Sequence, residues 1–179
     1  MHVIRLAPIL EDLTHALLII GLIASVPAQA SRELVDLRRI GHLSAKGRVQ
    51  DQPAPIVDAL IKAGPDAVPF LVSKLADRSR LSGPPVLDFW PRIEVRHVAL
   101  VVLCDLLTRA DGRTPTVPNA SWDQILDRQD ADMPSWELYD RFVAKHGADA
   151  VRLKVEQVLA PYKSKLIWDA AERCFRVAG

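Results

Sequence analysis

The chain has 179 residues, 49% of them apolar and 25% charged, and its 23 Lys and Arg face 22 Asp and Glu for a formal net charge of +1. That length suits one domain with a sizeable core, and so even a balance lacks the basic surplus on which nucleic-acid binders rely. The first feature in chain order is an apolar run of eleven residues from Ala16 to Val26, followed by Pro27, Ala28, Gln29 and Ala30. A bilayer-spanning helix needs about 20 such residues, whereas a short run ending in small side chains at Ala28 and Ala30 fits a signal-peptidase site. Residues 1–30 are therefore expected to be an export signal, with an uncleaved anchor as the competing reading. The mature product, residues 31–179, is expected to be a single domain, secreted or periplasmic, with no membrane attachment after cleavage.

Beyond Ala30, apolar residues recur three and four apart in segment after segment, and strand-type alternation is nearly absent. The expected fold class is all-α, built from stacked antiparallel helical hairpins. Ser31 can cap a first helix reaching about Ser44, with Leu34, Leu37 and Ile40 inward. Pro53 and Pro55 open a short helix whose Ile56, Leu60 and Ala63 share a face, and Gly64 ends it. Pro65 starts the next, with Val68, Leu71, Val72 and Leu75 inward. A proline-rich loop from Arg78 to Arg92 precedes a helix from Ile93 to Ala110, apolar around most of its circumference and so expected to be the most buried element.

Thr114 to Asn119 form a second loop containing Pro115 and Pro118. Ser121 and Gln124 match a capping box for a short helix, and after Pro134 the stripe Leu138, Tyr139, Phe142 and Val143 predicts another that ends at Gly147. Val151, Val155, Val158 and Leu159 predict a helix that Pro161 should kink or terminate, since it lacks an amide donor. A last helix is expected to bury Leu166, Ile167, Ala170, Ala171, Cys174 and Phe175, with Asp169–Arg173 and Glu172–Arg176 as acid-first pairs on its wet side.

Ala59-Leu60, Gly64, Ala67-Val68-Pro69, Leu71, Leu75 and Asp77, followed by Val95-Arg96 and Ala99-Leu100, carry a family resemblance. Residues 59–103 resemble one HEAT-type helical repeat whose hairpin turn is enlarged into the loop of Arg78 to Arg92. The resemblance implies a helical-hairpin stack resembling a fragment of an α-α superhelix, with Asp77 and Arg96 as structural polar contacts. It names no partner, because such scaffolds carry many unrelated binding roles.

No motif for catalysis or cofactor binding stands out, and no cofactor or metal is expected. Glu94 and His97 can share a helix face, but Asp105 lies about 12 Å further along, too far for one coordination sphere. Asp123, Asp127, Asp130 and Asp132 lack the spacing of a calcium loop, and Glu137 with Asp140 beside Trp136 resembles a glycosidase acid pair only in composition. Cys104 and Cys174 are the candidate disulfide in an oxidising compartment, set against two small core residues. Phe89, Trp90, Arg92, Trp122 and Trp136 are the candidate partner-binding residues, on the loops of Leu81 to Arg92 and Thr114 to Trp122 and at the start of the helix after Pro134. The functional expectation is a non-enzymatic module that binds another envelope protein. The alternative is an envelope hydrolase or carbohydrate-binding protein using the acids and aromatics of residues 122–140.

Overall fold

The computed structural model describes residues 33–44, 47–82 and 92–179. The export segment, the Ser31 cap, Phe89 and Trp90 lie outside the described residues. Among the described residues, about half are helical, and the chain closes with a small antiparallel sheet. The all-α expectation is therefore corrected, and no stack of hairpin repeats is evident.

In chain order the helices are α1 (Pro55–Ala63), α2 (Ala67–Lys74), α3 (Val95–Leu106), α4 (Trp122–Ile125), α5 (Ser135–His146) and α6 (Ala150–Leu159), followed by strands β1 (Leu166–Asp169) and β2 (Cys174–Val177). Short 3-10 turns occupy Leu37–Arg39, Val49–Asp51, Gly64–Asp66 and Lys163–Lys165. The centre is α3, with ten of its twelve residues buried. It packs against α2 most extensively and also meets the Val49–Asp51 turn, the Leu37–Arg39 turn, α4 and β2. Valines recur along α3 despite their modest helix propensity, because burial on all sides outweighs the χ1 freedom that they lose. Among the described residues no helix is long and apolar enough to cross a membrane.

Local signals explain most boundaries. Gly64 leaves α1 at φ 67° and Gly147 leaves α5 at φ 101°, conformations that an L side chain resists. Ser121 caps α4, its hydroxyl accepting from the Gln124 amide while the Gln124 side chain reaches back to the Ser121 amide, both at 3.3 Å.

Two expected helices are absent. Residues 33–44 form only the Leu37–Arg39 turn, started by Asp36, whose carboxylate accepts the Arg38 amide at 3.1 Å. Leu37, Ile40 and Leu43 are buried as a period of three, which a 3-10 turn and extended chain present as readily as an α-helix. The expected last helix is the β1–β2 hairpin, with Leu166 opposite Val177 and Trp168 opposite Phe175. Asp169 bends the chain by accepting from the Ala171 and Glu172 amides at 3.0 and 3.1 Å, and Arg173 turns left-handed at φ 48°. Trp168 and Phe175 then stack edge to face across the strands at 5.1 Å, and Arg176 pairs with Asp169 at 2.8 Å in place of the helical pair with Glu172. Ile167, expected inward, is 40% exposed.

The carboxyl end of α3 terminates inside the protein and is met there by polar side chains from distant segments. Arg48, only 5% exposed, grips Asp51 through two nitrogens at 2.8 and 3.0 Å and donates to the carbonyls of Thr108 and Glu172 at 2.9 and 2.8 Å. The fully buried Gln50 donates to the carbonyls of Asp105 and Arg173 at 2.8 and 3.1 Å, and the Arg173 guanidinium donates back to the Gln50 carbonyl. The Asp105 carboxylate accepts the Val49 amide at 2.9 Å. Burial pushes that carboxyl up to about 6, against the pull of the Val49 amide and the Arg48 charge. These bonds tie the 48–51 segment, α3 and the hairpin turn into one unit.

Arg48→Met keeps the apolar bulk but leaves the part-buried carbonyls of Thr108 and Glu172 without their guanidinium donor, so it is expected to destabilise by about 3 kcal/mol. Equilibrium urea unfolding checks this; a variant as stable as the parent would show that the clamp adds nothing to the fold.

Candidate functional site

Two polar regions lie beside α4. The first is buried and organised around Tyr139, which α5 places under the amino end of α3. Glu94 precedes α3, and its amide donates to Nδ1 of His97 at 3.0 Å, which leaves the proton of a neutral imidazole on Nε2. The Tyr139 ring meets His97 edge-on at 4.5 Å, Trp122 lies 6.2 Å from the Tyr139 ring, and the Arg96 guanidinium sits 5.4 Å from the Tyr139 ring. Arg96 also pairs with Glu94 at 2.7 Å. Burial first and the Arg96 charge second push His97 down to about 3, and burial pushes Tyr139 up to about 12. A histidine held neutral in this way serves as a helix-capping acceptor, and its partners are those of a structural cluster.

The second region is a groove of about 640 Å³ where α4 meets α6. Asp123 and Gln124 come from α4, while Lys154, Gln157 and Val158 come from α6. Asn119 and Asp127, on either side of α4, have φ of 63° and 51°, which Asn and Asp tolerate better than other side chains. The charges in the groove are mutually satisfied. Asp123 pairs with Arg128 at 2.6 Å and Asp127 with Lys154 at 3.6 Å. Arg128 also donates to the Met133 carbonyl at 2.6 Å, which fixes the turn. The carboxamides are less committed. Gln124 directs its oxygen to the Ser121 hydroxyl at 2.8 Å, leaving its NH2 for a ligand, and Gln129 donates to the Asp127 carbonyl at 3.3 Å, leaving its oxygen. Pro118, Pro161 and Tyr162 complete the wall.

The sequence candidates are dispersed. Arg92 is exposed, whereas Trp122 and Trp136 are half-buried and packed against the core, outside the groove. Glu137 pairs with Arg141 at 2.9 Å, and Asp130 accepts the Asp132 amide at 3.0 Å, so these acids serve an ion pair and a turn. Cys104 and Cys174 are both buried free thiols, and burial raises both above the usual thiol range. Each sulfur fills core space as a small apolar group. Asp77 and Arg96 meet through the backbone, the Arg96 amide donating to the Asp77 carbonyl at 2.9 Å; the Asp77 carboxylate accepts from the Ser79 amide at 2.8 Å. Among the described residues no three His, Cys, Asp or Glu side chains gather as metal ligands. The groove residues on α6 had no motif to announce them, whereas Pro118 and Asn119 in the second loop, the Ser121–Gln124 capping box and Pro161 gave local signals elsewhere along its wall.

No family model, no curated protein and no solved structure matches the chain.

The unfolded chain protonates His97 near 6.5 while the folded chain holds it neutral to about 3, so stability is full above 6.5 and falls as pH drops below it. From about pH 8 to about pH 5 this one group removes about 2 kcal/mol. His97→Gln keeps an acceptor for the Glu94 amide and is expected to flatten that part of the stability profile. Parallel pH slopes in denaturant titrations of parent and variant would rule the effect out.

Proposed function

We propose that this protein is a non-enzymatic binding module of the cell envelope that holds an extended, polar segment of a partner protein in the groove between α4 and α6. One observation carries the reading: the groove is lined by carboxamides and by charges that already have partners. Such a surface offers donors and acceptors side by side, as a peptide main chain requires, and presents no net charge to a phosphate or a lipid headgroup. The envelope address rests on the leader-like residues 16–30, and α2 packed against α3 serves in this reading as a HEAT-like scaffold element beside the site.

The test is site-specific photocrosslinking in intact cells from position 157, with position 145 on α5 as the remote control. A discrete protein adduct is expected from position 157 alone. Asn119→Gly combined with Gln129→Ala removes two exposed groove carboxamides, glycine being at ease at the φ of 63° that position 119 adopts, and is expected to weaken that adduct about tenfold with the fold unchanged. Identical adducts from both positions, or an adduct indifferent to the double variant, would refute the groove as the binding site.

A further inference from the structure

A second surface, sharing no residue with the groove, collects arginines that are far apart in sequence. The Ser82 amide donates to the Arg38 carbonyl at 2.7 Å, Arg80 bridges antiparallel to Glu94, and the Val95 amide donates to the Ser79 carbonyl at 2.9 Å. Residues 36–39, 77–82 and 92–96 therefore lie side by side. The carboxylates among them are already engaged: Asp36 holds Arg38 at 2.8 and 2.9 Å, Asp77 accepts the Ser79 amide at 2.8 Å, and Glu94 pairs with Arg96 at 2.7 Å. Neighbouring Glu33 is held by Lys74 at 2.7 Å.

Four guanidiniums remain. Arg39, with a side chain 79% exposed, lies 3.9 Å from an Asp36 carboxylate that Arg38 already occupies. Arg78, Arg80 and Arg92 are exposed and enter no ion pair among the described residues. A chain of net charge +1 thus concentrates unpaired positive charge on one face.

We propose that this face docks an acidic segment of a partner polypeptide, whose carboxylates Arg39, Arg78, Arg80 and Arg92 take in forked hydrogen bonds. Guanidinium is suited to this role, since its planar donors match a carboxylate pairwise. Membrane adsorption is the weaker fit. The exposed large apolar residues, Leu153 and Ile167, sit on α6 and β1, so the described residues of this face supply no apolar anchor beneath the charges. Nucleic acid fits less well too, because these three segments carry no aromatic ring on which a base can stack.

The full chain is titrated with fluorescein-labelled hexaglutamate at about 20 mM and about 200 mM salt. Binding is expected, weakened at least about tenfold by the salt. Arg39→Gln, Arg80→Gln and Arg92→Gln together should lower affinity at least about tenfold, and Arg92→Gln alone about threefold. Lys145→Gln, Lys163→Gln and Lys165→Gln together make the same change in net charge elsewhere and should alter affinity less than about twofold. The proposal is overturned if hexaglutamate fails to bind, if the lysine and arginine variants lose affinity equally, or if vesicles with about one third phosphatidylglycerol or a short DNA duplex bind more tightly.

Discussion

Because α3 is buried around nearly its whole circumference, its carboxyl-terminal carbonyls have little access to water, and side chains must supply the missing donors. Gln50 reaches the Asp105 carbonyl, the Thr108 hydroxyl reaches the Cys104 carbonyl, and Arg48 takes the Thr108 carbonyl just beyond. Arg48 and Gln50 also hold the hairpin turn, through the carbonyls of Glu172 and Arg173 respectively. The clamp therefore both ends the central helix and determines where the carboxyl-terminal sheet attaches. Thr116 extends it, since its amide and hydroxyl both reach the Leu107 carbonyl and its hydroxyl also meets the Phe175 carbonyl of β2.

With the core fixed in this way, the regions available for binding are the polar margins. At the groove, α4 is a single turn held by its capping box and bracketed by the left-handed Asn119 and Asp127, so its side chains keep one orientation toward α6. A turn fixed in this way would limit the ordering cost of the segment proposed to bind there. At the opposite extreme of chemistry, the arginine face is polar through charge alone. The two surfaces would make distinct demands on a partner, neutral and hydrogen-bonding in one case, acidic in the other.

His97 illustrates how one residue can support two readings until its surroundings are known. On a helical projection it shares a face with Glu94, a pair of metal-ligand type with no third ligand in reach. In the fold its Nδ1 faces the Glu94 amide and its ring meets Tyr139, and burial together with the nearby Arg96 charge makes the neutral form the stable one. Desolvation and an adjacent cation act in the same direction, and the histidine becomes part of the helix start.

Much of the helical framework was legible because its signals are local. Proline at the start of α1, glycine after α1 and α5, the Ser121–Gln124 box and the apolar circumference of α3 each act within a few residues. The carboxyl-terminal hairpin was not legible for a physical reason. Leu166, Cys174 and Phe175 satisfy a helical stripe, and four-residue strands are too short to display alternation, so the decision fell to the Asp169 turn, the Trp168–Phe175 contact and the clamp on residues 172 and 173. Leu37 and Ile40 were likewise read correctly as inward but in the wrong geometry. The sequence by itself determined most of the apolar core and where most helices stop, since hydrophobicity and capping are properties of neighbours along the chain, whereas Ile167, Ala170 and Ala171, expected inward, are exposed. Tertiary structure alone decided the strands, the groove and the grouping of arginines from three segments, because these depend on hydrogen bonds and charges brought together from distant positions.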